Sequence, residues 1–275
     1  IFVVIYYLTQ IINVINGGKK GGDDIIIIGG GMAGGGGPIV MESGGDKKGG
    51  KKDKKADKKK DKKKGGKDDK KEKGFIDRLH ERFPDEKFMP VHRLDRPTSG
   101  MLLFAKDPRI ANLLQRQFTE GTVRKRYLCA ISGIIAEQKG VLKDPLKHPK
   151  TKQVQKAETQ FSVVFQGDPE LTGKEAQDWS ILKVDLLTGR FHQIRRHFAY
   201  AGTPLIGEEK YISKDVKPGK RPWRRGLGLS AVQIQFEHPI KRKMMGFFEL
   251  PEDDFGTWLR SQKTDGFFSN EFSRK

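Results

Sequence analysis

The sequence predicts an α+β domain on a largely antiparallel mixed sheet flanked by helices. Three observations lead there. Short runs with the two-residue alternation of half-buried strands recur, as at Tyr127 to Ile131 and Val232 to Phe236. Helix signals fall between some of these runs, as at Asp107-Pro108, but not between all of them. The strict strand–helix–strand repetition that marks a wholly parallel sheet is absent.

In chain order, residues 1–42 are an apolar, Gly-rich N-terminal segment. Ile1 to Ile15 is interrupted by Thr9, Gln10 and Asn13 and lacks the basic flank and small-residue cleavage site of a secretory leader. It is read as a pair of buried strands, the first of the sheet. Ile25 to Ile28 runs into glycines, and Gly29, Gly31 and Gly34 satisfy the G-x-G-x-x-G pattern. Runs of glycine meet that pattern by chance. No periodic helix or acidic residue follows at the spacing a nucleotide loop needs. Residues 43–73 are a Lys/Asp/Gly linker too poor in apolar groups to bury a core. Residues 74–262 have the composition of an ordinary folded domain, and 263–275 form a C-terminal tail.

Within the domain, Met101 to Ala105 reads as a short buried strand. Asp107 is an expected N-cap, with Pro108 in the first turn and Gly121 as the stop. Ile110, Leu113, Leu114 and Phe118 lie between them at helical spacing. Tyr127, Cys129 and Ile131 should face one side of a strand, and Leu128 and Ala130 the other. Leu182, Val184 and Leu186 share a face of the strand from Ile181 to Leu187. His192 to Ala201 reads as a helix stopped by Gly202, Val232, Ile234 and Phe236 as one strand face, and Trp258-Leu259 as part of a last helix.

Charge narrows the function. Residues 46–73 hold sixteen lysines against seven acidic residues, so the tract supplies +9 of the formal +19 and leaves about +10 elsewhere. The domain is basic in its own right, which favours a polyanionic partner. The single cysteine, Cys129, excludes an internal disulfide and any Cys-based zinc site and suits a reducing compartment. No apolar run reaches membrane-spanning length.

Chemistry concentrates at three places. His92 to Gly100 (HRLDRPTSG) places Asp95 in a tight turn ahead of a strand, between Arg93 and Arg96. Guanidinium neighbours keep a carboxylate ionised and in place. A surface ion-pair loop has the same spacing, so spacing alone does not choose. Thr188 to His197 (TGRFHQIRRH) ends a strand and opens a helix with Arg190, His192, Gln193, Arg195 and Arg196. Helix starts attract anions, and Arg195 can reach a carboxylate on another loop. Arg124-Lys125-Arg126-Tyr127 puts cations beside a ring, and a plain core tyrosine stays an equal alternative. Two further basic stretches, Lys139 to Lys156 and Lys210 to Arg225, read either as phosphate contacts or as solvated loops.

HRLDRPTSG resembles the H-R-L-D-x-x-T-S-G motif of RluA-type pseudouridine synthases over all nine residues. TGRFHQIRRH resembles the family's later T-G-R-[TS]-H-Q-[LI]-R-x-H, with Phe191 as the departure. Lys125-Arg126-Tyr127 resembles its K-x-Y segment. Pro204 to Gly207 with Lys210-Tyr211 resembles P-I-x-G-D-x-x-Y, with Glu208 where Asp is usual. The family's N-K-P-x-G is not met, since Gly17-Gly18 stand where Lys-Pro belongs. The resemblance covers about residues 75 to 260.

It implies the pseudouridine synthase catalytic fold over 74–262, and an isomerase that detaches uracil and rejoins it through carbon. It implies RNA (tRNA or rRNA) as partner and a monomer, while the lone cysteine and the lack of an apolar span point to a cytoplasmic home, with organelle and nucleus left open, and to no membrane. The reaction changes no oxidation state, so neither cofactor nor metal is expected. Asp95 would be the essential carboxylate, Tyr127 the ring against the uracil, and Arg195 the partner of Asp95. Arg93 would fill the place of the extruded base. Arg96, Lys125, Arg126, Arg190, His192, Gln193 and Arg196 would complete the RNA face. The competing reading is a non-catalytic RNA-binding protein that keeps the fold.

Overall fold

Strand β4 (Ser99–Ala105) follows the Asp95 turn directly and is the element on which the sheet is organised. A computed structural model of the protein describes residues 3–6, 25–30, 75–166, 179–212 and 221–262. The linker, the C-terminal tail, Gly17-Gly18, Gly31 to Gly37, and Lys214, Lys217 and Lys220 lie outside them.

In chain order the strands are β1 (Val3–Tyr6), β2 (Ile25–Gly30), β3 (Met89–Pro90), β4, β5 (Arg124–Ser132), β6 (Lys139–Leu142), β7 (Leu146–Lys147) and β8 (Val154–Gln155). They continue with β9 (Thr159–Gln166), β10 (Trp179–Leu186), β11 (Leu229–Glu237) and β12 (Met244–Phe248). The helices are α1 (Phe75–Arg82), α2 (Pro108–Glu120), α3 (Gln193–Tyr200) and α4 (Asp254–Ser261). Ten strands form one sheet along the path β1-β2-β4-β11-β5-β10-β9-β6, with β12 on β11 and β3 on β4, and β7-β8 is a separate ribbon. Among the described residues only β1–β2 and β4–β11 pair in parallel. This is the mixed, largely antiparallel α+β arrangement expected. Gly29 and Gly30 lie inside β2, paired with Met101 and Gly100, and not in a loop.

Helices cover both faces. On β5, Tyr127, Cys129 and Ile131 pack with Ile194 and Phe198 of α3, while Leu128 and Ala130 pack with Phe255 and Leu259 of α4. Leu182 and Val184 of β10 join the α3 side, and Ile181 the α4 side. On β4, Met101, Leu103 and Ala105 meet Ile110 and Leu114 of α2, and Leu102 and Phe104 meet Leu79 of α1. Leu103 and Leu114 are wholly buried, and each such side chain contributes roughly 1.5–3 kcal/mol.

Asp107 caps α2 through the Arg109 and Ile110 amides at 2.8 and 3.3 Å, and Gly121 ends it at φ 75°. Leu113, at helical spacing with its neighbours, is 42% exposed, because the stripe that meets β4 runs through Ile110, Ala111 and Leu114. Val232 does not share a face with Ile234. The β5–β11 register shifts between Ala231 and Gln233, which turns Val232 toward α4 and leaves Ile234 and Phe236 against α2. The basic stretch from Lys139 is not only a loop. Its start forms the edge strand β6 on β9, and the ribbon β7–β8 follows. No helix among the described residues is long and apolar enough to cross a membrane.

Candidate active site

The Asp95 turn is fixed from several sides. The Thr98 amide donates to the Asp95 carbonyl at 2.9 Å, closing the turn. Gly100 sits at φ +111° against β11, and a Cβ there would run into the Ala231 backbone. Only glycine combines that dihedral with so close an approach. His92 Nε2 accepts from the Leu103 amide at 3.0 Å, and its ring stacks on Phe118 at 4.6 Å. Burial, with help from the nearby Lys125 charge, pulls His92 down to about 3, so it is a neutral strut between turn and strand.

Opposite this turn stand the loop after β10 and the start of α3. Arg195, 6% exposed, presents its guanidinium to two carboxylates. Nε and Nη2 donate to Glu208 at 2.7 Å each, and Nη1 lies 4.0 Å from Asp95 Oδ2. The expected pairing of Arg195 with Asp95 is therefore the longer of two. Glu208 takes the short fork because its side chain is fully buried, where an unpaired carboxylate is costly. It also accepts from the Lys210 amide at 2.9 Å. Burial opposes its charge, but the Arg195 bonds hold it below the ordinary carboxylate range.

Asp95 itself stands above that range. Burial is the largest influence and lifts it, against the pull of Arg195 and Arg93, and Glu208 adds repulsion. The guanidinium neighbours thus moderate a desolvated acid and do not outweigh its burial. Its other oxygen, Oδ1, faces His192 Nε2 at 3.7 Å. Tyr127, 9% exposed, lies on β5 opposite Ala231 of β11 and Val184 of β10. Burial, then the Asp95 charge, push its hydroxyl well up, which puts phenol and carboxylate in one field. Leu94 packs in the same apolar cluster as Tyr127 and Ile194. Asp95, Tyr127 and Arg195, 100 positions apart at the extremes, converge.

The other sequence-predicted residues divide. Arg93, Arg96 and Arg190 are exposed, and Arg190 Nε donates to the Lys156 carbonyl at 2.9 Å. Lys125 lies 5.8 Å over the Phe118 ring, and burial lowers its pKa. Arg126 is forked to Asp185 at 2.7 and 3.0 Å. Gln193 is buried, donates to the Glu158 carbonyl and Thr159 hydroxyl, and accepts from Thr188 and the Arg190 amide. Arg196 is buried on the Lys147 and Phe191 carbonyls. Arg126 thus ties β5 to β10, while Gln193 and Arg196 hold loops in place, and neighbouring backbone, hydroxyls and carboxylates take most of their polar atoms.

Glu208, Tyr211, Lys210 and His92 were missed as site residues. Tyr211 bonds His192 Nδ1 at 2.8 Å, and the Arg195 guanidinium lies 5.4 Å over its ring. The signal was the Gly-Glu-x-x-Tyr spacing from Gly207 to Tyr211. Gly207 adopts φ +84°, and a Cβ there would lie 2.7 Å from the Gly226 carbonyl oxygen. Among the described residues no group of three or more His, Cys, Asp or Glu is placed to hold a metal ion.

Residues 47–200 match the family described as RNA pseudouridylate synthase. The tRNA pseudouridine synthase C of Haemophilus ducreyi is 35% identical over 168 residues, which is 56% of this chain and 69% of that protein. The ribosomal large subunit pseudouridine synthase C of the same organism is 35% identical over 66% of this chain and 57% of its own length. The enzyme of that name from Pasteurella multocida is 38% identical over 60% and 52%. The chain thus spans between about half and just over two thirds of these relatives. Human RNA pseudouridylate synthase domain containing 1 superposes with a TM-score of 0.54 at 23% identity, over 64% of this chain and 73% of that one. Its counterpart, domain containing 4, gives 0.51 at 19%, over 66% and 77%. Both show the fold.

Proposed function

The chain belongs to the RNA pseudouridylate synthase family, and from that premise we propose that it converts a uridine of a structured RNA, a tRNA or an rRNA, to pseudouridine. The N1–C1′ bond breaks, the uracil turns, and a C5–C1′ bond forms. The C5 proton leaves and N1 gains one, so the product is an isomer and neither cofactor nor metal is required.

One observation carries the reading: a part-buried carboxylate, Asp95, faced by Arg195 at 4.0 Å and sharing a field with the buried Tyr127. Asp95 is the group that acts on the ribosyl–uracil unit. Attack at C1′, attack at C6 and removal of the 2′ proton all suit one carboxylate. A 2′-deuterated uridine separates the third by its isotope effect. Tyr127 offers its ring to the uracil at the C5 side.

Taking a base out of a helix costs about a few kcal/mol. Arg93, exposed beside Asp95, stacks where the base was on this reading and offsets part of that cost. With Arg96 and Arg190 it forms the cationic rim, and Lys143, Lys147, Lys150 and Lys152 around the β7–β8 ribbon extend it along the phosphate backbone. The names of the relatives support both tRNA and rRNA as the target class. Asp95, Tyr127 and Arg195 come together within one copy, which supports a monomer as the active form.

The test is Asp95→Asn. Pseudouridine mapping of RNA from cells carrying wild type, the variant or neither should show a site present only with wild type. A variant that modifies RNA undiminished ends the reading. Wild type that binds RNA but forms no pseudouridine in it would replace the reading with the non-catalytic RNA-binding one.

A further inference from the structure

His192 stands at the N-cap of α3 but makes no side-chain cap bond. Its backbone is left-handed, at φ 52°. Ser, Thr, Asp or Asn there turns its side-chain oxygen back to the first helical amides from an extended backbone. Here the ring is directed elsewhere. Nδ1 bonds the Tyr211 hydroxyl at 2.8 Å, Nε2 faces Asp95 Oδ1 at 3.7 Å, and the ring stacks on Phe191 at 3.8 Å. A conformation uncommon for a non-glycine residue is thus spent on aiming one imidazole.

We propose that Tyr211 and His192 are a positioning pair for Asp95: the tyrosine hydroxyl donates to Nδ1 and thereby fixes the tautomer that presents Nε2–H to the carboxylate. The proposal rests on the isomerase reading for its purpose, but its chemistry stands on the geometry. A neutral imidazole has one N–H. If Nδ1 carried it, the Nε2 lone pair would face the Asp95 oxygen, which is repulsive. If Tyr211 donates, both contacts are attractive, and the second ring nitrogen is set by the bond the first one makes. The imidazole is held neutral: burial, then Arg195, Lys210 and Arg93, pull it down to about 4, with Glu208 opposing. Tyr211 keeps its proton, since burial raises it. Asp95 is thereby gripped on both oxygens, Oδ2 by Arg195 and Oδ1 by His192. Both separations, 3.7 and 4.0 Å, are longer than a hydrogen bond, as catalytic contacts often are before substrate is bound.

The experiment has two arms on the full chain. In the first, ¹⁵N NMR of the His192 ring at neutral pH reports the tautomer without any turnover. Wild type should show Nε2–H, and Tyr211→Phe a mixture. Wild type found as Nδ1–H, or as imidazolium, overturns the proposal. In the second, single-turnover rates on a substrate RNA are measured against pH. Tyr211→Phe keeps the ring beneath Arg195. It should slow the reaction about tenfold, the scale of one charge-assisted hydrogen bond, and leave RNA affinity within about twofold. The acid limb of its profile should move to higher pH, because the carboxylate loses a donor while Arg195, Arg93, Lys210, Glu208 and Tyr127 still face it. His192→Gln keeps an N–H where Nε2 stood, so adding Tyr211→Phe to it should cost nothing more. Full additivity of the two variants, or an unmoved profile in Tyr211→Phe, overturns the proposal. Wild type that forms no pseudouridine defeats the isomerase reading, and the tautomer measurement still decides the positioning pair.

Discussion

Arg195 serves two carboxylates with one guanidinium, and its planar fork makes that possible. Nε and Nη2 are taken by Glu208, which leaves Nη1 for Asp95. Removing the buried partner leaves the guanidinium with only the longer Asp95 contact. Glu208→Ala should cost about 3 kcal/mol in urea unfolding. Glu208→Asp, which keeps a carboxylate one methylene shorter, should recover most of it. Asp95 has the opposite sign. Its folded-state pKa is raised above 3.8, chiefly by burial, so its ionised form is disfavoured by folding. That cost is absent below the unfolded value and is fully present once pH exceeds the raised one. Asp95→Asn should therefore raise Tm at neutral pH while abolishing activity, with the gain vanishing below about pH 3.8. Thermal unfolding across pH checks this. A proposed catalytic acid that weakens the fold fits the usual trade between stability and function.

At the scale of elements, two glycines show different physics. Gly121 ends α2 at φ 75° with open space around it, so an added methyl meets nothing. Gly121→Ala should cost about 1 kcal/mol from backbone conformation alone, with activity unchanged. Gly100 has the same dihedral problem and, in addition, the Ala231 backbone against it. Gly100→Ala must separate β4 from β11, and that parallel contact, Ser99 and Gly100 on Ser230 and Ala231, sets where the Asp95 turn emerges. It should therefore lose stability and turnover together, read by unfolding and single-turnover assays on the same preparation. The bulge at Val232 belongs to this scale too. It lets β11 serve α4 at Val232 and α2 from Ile234 onward.

For the molecule as a whole, the charge that remains after internal pairing is what RNA would meet on the proposed function. Arg126 and Arg196 are used within the fold, whereas Arg93 and Arg96 are open, and Arg190 is exposed but bonded through Nε to the Lys156 carbonyl. Each phosphate-contacting cation releases counterions on binding. Arg96→Ala should reduce the slope of log affinity against log salt by about 1. Arg126→Ala should instead lower stability, by freeing Asp185, and leave that slope unchanged. Binding titrations over a range of salt separate the two outcomes.

The sequence by itself determined the local alphabet. The Asp107–Gly121 helix, the two-faced strands at Tyr127 and Ile181, and the turn that presents Asp95 are set by capping, alternation and glycine dihedrals, all acting over a few residues. Motif wording also brought Asp95, Tyr127 and Arg195 forward as one candidate group. What only the tertiary structure decided is who pairs with whom. Whether Arg195 forks to Glu208 or to Asp95, and whether Arg126, Gln193 and Arg196 face solvent or tie neighbouring elements, depends on which distant groups share a buried space. Strand spacing carries no such information, because a buried charge takes the partner that packing leaves within reach, and packing is a property of the whole sheet.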